Sequence, residues 1–193
     1  WEKSRQEADA NFVLETGSTD NKVNLLKENN INVETKIINP WRFDVARNES
    51  LKLVPETFDV CVCTDLDEVF NPGWRKEIEK VWKDNTNRLI YNYNWSLDQN
   101  NKPLVSFYYE KIHSRKNYEW IHPVHEVLKY TGDKEIKVKT DSITLNHYPD
   151  QTKSRSSYLP LLELSVKEEP LNDRNMHYLG REYMYYHKWN ECI

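Results

Sequence analysis

Apolar and polar positions follow two rhythms along this chain, and the rhythm changes near residue 88. Before that point, short apolar runs alternate with stretches of helical spacing. Residues 1–10 read as the tail of a helix, and Asn11-Phe12-Val13-Leu14-Glu15 predicts a strand. Residues 21–29 predict a helix with Val23, Leu25 and Leu26 on its apolar side; Val33, Thr35 and Ile37, spaced by two, predict a half-buried strand. Asp44 is placed to cap a helix carrying Val45, Ala46, Leu51 and Val54, which Pro55 ends. Val60 to Cys63 is small, apolar and unbroken, the pattern of a strand covered on both faces, and Trp74, Ile78, Val81 and Trp82 recur at helical spacing. This alternation predicts βαβ units and an α/β fold with a mostly parallel central sheet flanked by helices.

From 88 to 148 the runs Leu89–Trp95, Val105–Tyr109, Ile136–Val138 and Ile143–Tyr148 predict further strands, separated by turn signals such as Asn100-Asn101-Lys102-Pro103 and Thr131-Gly132-Asp133. From about 153 the pattern is helical again. Leu159, Leu161, Leu162, Leu164 and Val166 form one apolar face, Pro160 falls in the first turn or at a kink, and Asp173 can cap a last helix to about His187. Residues 1–150 are therefore expected to form one domain, with a helical extension over 151–193.

Composition narrows the partners. The 193 residues carry a formal charge of −4 and no dominant basic patch, which argues against nucleic acid. No stretch of apolar residues is long enough to span a membrane, and no signal peptide is visible at Trp1. The three cysteines, Cys61, Cys63 and Cys192, are odd in number and show no pairing pattern, which predicts a reducing, cytoplasmic compartment.

The chemistry concentrates in Asp65-Leu66-Asp67-Glu68, at the carboxyl end of the predicted strand, where α/β sheets place their ligands. On an extended backbone Asp65 and Asp67 point the same way, and two like charges held together favour a cation between them. Hard carboxylate ligands suit Mn²⁺ or Mg²⁺, which usually also hold phosphates. A solvated turn is the plain alternative, since Asp-x-Asp alone is common.

Three motifs in order resemble family 2 glycosyltransferases. Val13-Leu14-Glu15-Thr16-Gly17-Ser18-Thr19-Asp20 looks like the family's first nucleotide-binding loop, Ala46-Arg47-Asn48 like its Ala-Arg-Asn segment, and Asp65-Leu66-Asp67 falls where its Asp-x-Asp motif belongs. Val124-His125-Glu126 and Leu145-Asn146-His147-Tyr148 are similar to the His-Glu and His-Tyr segments of one subgroup, and Met176 to Tyr183 resembles the start of the tetratricopeptide-like helices that often follow. The resemblance implies a GT-A fold, Rossmann-like, with residues 1–87 as the nucleotide-sugar half and 88–150 as the acceptor half. It also implies that the family's first strand would precede Trp1, and the first-loop acid, usually Asp, is here Glu15.

The resemblance further implies an inverting, metal-dependent transfer of sugar from a nucleoside-diphosphate donor to a hydroxyl of a glycan, lipid or protein acceptor. Glu15, Gly17, Ser18, Asp20, Arg47 and Asp65 would bind the nucleotide-sugar. Asp67, with Asp65 and His147, would hold the metal. Glu126 would be the base, with His125 orienting the acceptor or sharing that role. Two other classes stay open: a degenerate transferase-like domain that binds a glycan or protein, and a nucleotidyltransferase, which would want a Gly-rich basic loop that is not visible.

Overall fold

The computed structural model describes residues 5–18, 21–150 and 156–192. Strand β1 (Phe12–Glu15), helix α1 (Lys22–Glu28) and strand β2 (Asn32–Thr35) form one βαβ unit, with β1 and β2 parallel. Helix α2 (Phe43–Lys52) leads to β3 (Val60–Val62), then β4 (Glu68–Phe70) and α3 (Trp74–Val81). Five strands follow: β5 (Arg88–Leu97), β6 (Pro103–Ser114), β7 (Tyr118–Ile121), β8 (Val127–Tyr130) and β9 (Lys137–His147). Helices α4 (Tyr158–Glu168) and α5 (Asp173–Tyr185) close the described chain, with a short 3₁₀ turn at Trp189–Cys192.

The main sheet corrects the expected fold class. Its strand order is β3-β6-β5-β9-β4, and it is mixed: β3 with β6, β5 with β6 and β4 with β9 are antiparallel, and β5 with β9 alone is parallel. A mostly parallel, Rossmann-like GT-A sheet is not what the chain forms. The reason is local. Only five residues separate β5 from β6, and Asp98 Oδ1 accepts from the backbone N–H of Asn100 and of Lys102, both at 2.8 Å, to turn the chain. A parallel pair needs a crossover of a dozen residues or more, so this connection can only make a hairpin. Strand β3, expected deep in the sheet, is three residues long and pairs only with β6 among the described residues. Bulges along β5, between Leu89 and Tyr91 and between Asn94 and Ser96, bend it and increase its twist.

The core lies on one face of this sheet. Leu89, Tyr91 and Tyr93 alternate inward from β5 and meet Ile112 of β6 and Ile143 and Leu145 of β9. Trp74 and Ile78, one helical turn apart on α3, cover them, and Phe70 stacks on Trp74 with ring centres 5.3 Å apart. Burying each large apolar side chain contributes about 1.5–3 kcal/mol, so this cluster dominates the hydrophobic stabilisation of the sheet. Gly73 precedes α3 at φ +88°, a left-handed conformation that favours glycine. The N-terminus of α3 is satisfied from far away: the Glu7 carboxylate accepts from Gly73 N–H at 2.7 Å and Arg75 N–H at 3.1 Å.

The C-terminal helices also depart from expectation. They are not an extension but a wall of the main body. Leu161 and Leu162 of α4 bury against Val124, with Trp41, Phe43, Tyr178 and Leu179 around them. Arg42 ties the two ends together, reaching both Asp44 at 2.8 Å and Glu168 at 2.5 Å. Asp44 lies in the first turn of α2 rather than at its cap. The cap of α5 is Asn172, whose side chain accepts from Asn175 N–H at 3.1 Å. Among the described residues no helix is long and apolar enough to cross a membrane.

Candidate functional site

Between β3 and β4 the chain leaves the strand at Cys63 and turns at Leu66-Asp67 before re-entering at Glu68. The turn is closed by reciprocal bonds: Asp65 N–H donates to Glu68 Oε2 at 2.8 Å, and Glu68 N–H to the Asp65 carbonyl at 3.1 Å. It separates the two aspartates, which do not share one direction as an extended backbone would have them.

Asp65 turns towards two cations. Arg47 Nη2, from α2, donates to its Oδ1 at 2.8 Å and Oδ2 at 3.1 Å, and Lys111 Nζ, from β6, lies 3.5 Å from Oδ2. Burial raises the Asp65 carboxyl, but Lys111 and Arg47 outweigh it and hold the group well below the usual carboxylate range. Burial likewise depresses Arg47, yet Asp65 and Glu126 overcome it and keep the guanidinium firmly charged. Lys111 behaves the same way, with Asp65 as its main support against burial. Arg47 also donates from Nε to Glu126 Oε1 at 2.5 Å, so one guanidinium joins carboxylates 61 residues apart in sequence. Its plane lies 5.0 Å from the centre of the Trp120 ring.

The neighbouring Asn48 explains how α2 is held. Its side chain accepts from Trp120 N–H at 2.9 Å and donates to the Trp120 carbonyl at 2.8 Å, pairing with β7 as another strand would. Arg47 and Asn48 thus act as one device: Asn48 fastens the helix, and Arg47 enters the site.

Asp67 turns the other way, to His147 at the end of β9, with Oδ2 and Nε2 3.7 Å apart. The other imidazole nitrogen faces the Trp95 carbonyl at 3.0 Å, which orients the ring. Tyr148 N–H donates to the Asp67 carbonyl at 2.7 Å, fixing the turn against β9. Glu68 is buried behind this pair and accepts from Tyr93 O–H at 3.0 Å.

Glu126 follows His125, whose backbone is left-handed at φ +51°. The His125 ring stacks on Tyr178 of α5 at 4.1 Å, and its carbonyl accepts from Arg174 Nη2 at 2.8 Å. The helices α4 and α5 therefore position the loop that carries Glu126.

These acids and cations share one cleft of about 1160 Å³, lined by Arg47, Asp65, Asp67, Lys111, Glu126, His147 and Tyr178 among others. That is slightly above the common range of roughly 300–1,000 Å³ for small-molecule sites. Among the described residues five carboxylates line the cleft (Asp65, Asp67, Glu68, Glu126, Asp150) against four cations (Arg5, Arg47, Lys111, Arg174), so the net charge is close to balanced and any divalent cation would depend on where the acids cluster, at Asp67 beside His147. Among the described residues no three His, Cys, Asp or Glu side chains converge as a ready metal cage. Asp67 and His147 can supply two ligands, while Asp65 is engaged by Arg47 and Lys111. Mg²⁺ commonly binds through one or two carboxylates with substrate phosphates completing its shell, so the donor set fits a metal bound together with a phosphate ligand.

The first loop is held together by its own acid. Glu15 is buried, and its Oε1 accepts from Gly17 N–H at 2.8 Å and from Ser18 N–H. The Ser18 N–H is the chief reason that its carboxyl lies below the usual range. Phe12, Val13, Leu14 and Thr16 line the cleft, while Glu15 shapes the loop behind it. Gly17 has φ +117°, and a Cβ there would stand 2.9 Å from Ile37 Cδ1. Asp20 lies outside the described residues. Lys111, Arg174 and Tyr178 belong to the site without having been expected there. Lys111 had one signal, a lone lysine inside an aromatic and aliphatic strand run.

One further pair, Cys63 and His113, has Sγ and Nε2 3.5 Å apart. Burial pushes His113 down to about 4 and Cys63 up to about 11, so the pair is neutral and not an activated nucleophile. The unfolded chain takes up the imidazole proton near pH 6.5, the native chain only near 4. Stability should therefore fall as pH drops through that window, by roughly 3 kcal/mol from this group. Urea unfolding at pH 7 and 4.5 measures the loss, and His113→Gln should show a shallower slope; an unchanged slope would remove His113 as the cause.

No protein-family model matches the sequence, and no curated protein matches it.

Proposed function

We propose that this chain is a metal-dependent glycosyltransferase that moves a sugar from a nucleoside-diphosphate donor to an acceptor hydroxyl, with inversion. The observation that carries this reading is the meeting, in one cleft, of Asp67 beside His147 and of Glu126 held by Arg47. Mn²⁺ or Mg²⁺, bound by Asp67 and His147, would supply Lewis acidity to the diphosphate. Asp65 organises the site, keeping Arg47 and Lys111 in place. Glu126 takes the proton of the acceptor hydroxyl through Oε2, which makes no hydrogen bond among the described residues. The acceptor oxygen then forms a bond to the anomeric carbon as the bond to the diphosphate oxygen breaks, and the electron pair leaves on the diphosphate. Attack opposite the leaving group inverts the centre. A glycan, lipid or protein can present the hydroxyl, and a cytoplasmic setting accords with three free cysteines.

A binding module without turnover is the second reading, favoured by the exposed Trp95, Leu104, Phe107 and Tyr108 on the β5–β6 hairpin, which suit a glycan or protein surface. Titration calorimetry with UDP, GDP and CDP, in Mn²⁺ and in EDTA, separates the two. One nucleotide should bind in a metal-dependent way, and Asp67→Ala should weaken that binding by roughly a hundredfold with the fold retained. Equal affinity in the variant would remove Asp67 as a metal ligand; no nucleotide binding at all would favour the binding module.

A further inference from the structure

The cations of the cleft are not alike. Arg47 and Lys111 are matched by carboxylates, as Arg42 and Arg88 are elsewhere. Arg174 of α5 lines the same cleft and has no carboxylate partner among the described residues. Its Nη2 is used on the His125 carbonyl at 2.8 Å, while Nη1 is buried and bonds nothing among the described residues. Arg181, two helical turns on, repeats the pattern: its Nε is buried without a hydrogen-bond partner among the described residues. Both guanidinium groups lie against the Tyr178 ring, Arg174 at 4.9 Å and Arg181 at 4.7 Å from its centre. Two like charges lie over one ring with no carboxylate between them among the described residues, and Arg174 brings one of them to the cleft, a charge imbalance that an anion there would relieve.

We propose that Arg174, backed by Arg181, is the anion contact of the cleft and binds the diphosphate of the donor; this rests on the transferase reading. The planar guanidinium offers donors in a rigid fork, which matches phosphate oxygens better than a lysine does. Tyr178 holds the plane of the fork, and the bond to His125 fixes it one residue from Glu126. The alternative role for Arg174 is a tether of the His125 loop, and the test must separate the two.

The test is titration calorimetry of inorganic pyrophosphate into the full chain, with and without Mn²⁺, alongside melting curves. The wild type should bind pyrophosphate without metal. Arg174→Gln should lower that affinity tenfold or more with a similar melting temperature, and Arg174→Lys should fall between the two. A Gln variant that melts earlier but binds pyrophosphate as wild type does would overturn the proposal in favour of a tether. If the Gln variant does not fold, the Lys variant decides: affinity equal to wild type overturns the assignment. Absence of pyrophosphate binding in the wild type overturns it too. Arg174-dependent pyrophosphate binding without any nucleoside-diphosphate binding would keep the anion site and sink the transferase reading.

Discussion

Glu126→Gln should abolish sugar transfer, lowering kcat by at least about a hundredfold, the low end of what a positioned general base supplies. Donor affinity should stay close to wild type. The substitution keeps the shape of the side chain and an oxygen that can accept from Arg47 Nε, now 2.5 Å from Glu126 Oε1. It removes the capacity to take a proton and, with it, the negative charge that pairs with Arg47. Arg47 also retains its contact with Asp65, so the site should remain assembled. Steady-state kinetics and calorimetry on the same preparation give the two numbers. Turnover near the wild-type rate would exclude Glu126 as the base. His125 is poorly placed to substitute, since its ring is packed face to face on Tyr178.

Arg47→Ala should have the broadest effect, because it strikes stability and binding together. Glu126 would lose its ion pair, and Asp65 would keep only Lys111 at 3.5 Å. Removing one partner from a buried ion pair costs about 3–5 kcal/mol; Arg47 and Glu126 are 20% and 11% exposed, while the Asp65 side chain is 42% exposed and screened by solvent, so a loss at the low end, roughly 3 kcal/mol, is expected from the Glu126 contact. The packing over Trp120 would go as well. Arg47→Lys should recover little, since one ammonium cannot reproduce the fork that joins Asp65 to Glu126. Urea unfolding of both variants checks this. A change below about 1 kcal/mol in the Ala variant would mean that the network behaves as a surface ion pair.

Local pattern and long-range placement contributed differently to the site. Spacing by two placed the strand near Val33, short apolar runs placed those near Phe12, Leu89 and Ile143, and helical spacing marked Trp74 with Ile78, because burial of one face imposes a period on the chain. The acids Asp65 and Asp67 were visible as carboxylates at the end of an apolar run, Arg47 and the pair His125-Glu126 only through motifs that resemble those of a known family, and all of them line the cleft. Lys111 was passed over because nothing in its own strand names a partner 46 residues away. Arg174 and Tyr178 were read as parts of a separate helical segment, whereas they brace the loop that carries Glu126.

The amino-acid sequence by itself determined where most strands and helices lie and which residues could do acid, base or metal chemistry, since periodicity and residue type are local properties. Tertiary structure alone decided the directions in the sheet, because burial selects a face but not a neighbour: β5 takes β6 antiparallel on one side and β9 parallel on the other. It also decided what each acid does. The turn at Leu66-Asp67 sends Asp65 to Arg47 and Lys111 and Asp67 to His147, and Glu15 is claimed by its own backbone. A carboxylate goes to whichever donor the fold brings close: for Asp65, Asp67 and Glu126 that donor is far away in sequence, and for Glu15 it is the next residues of its own loop.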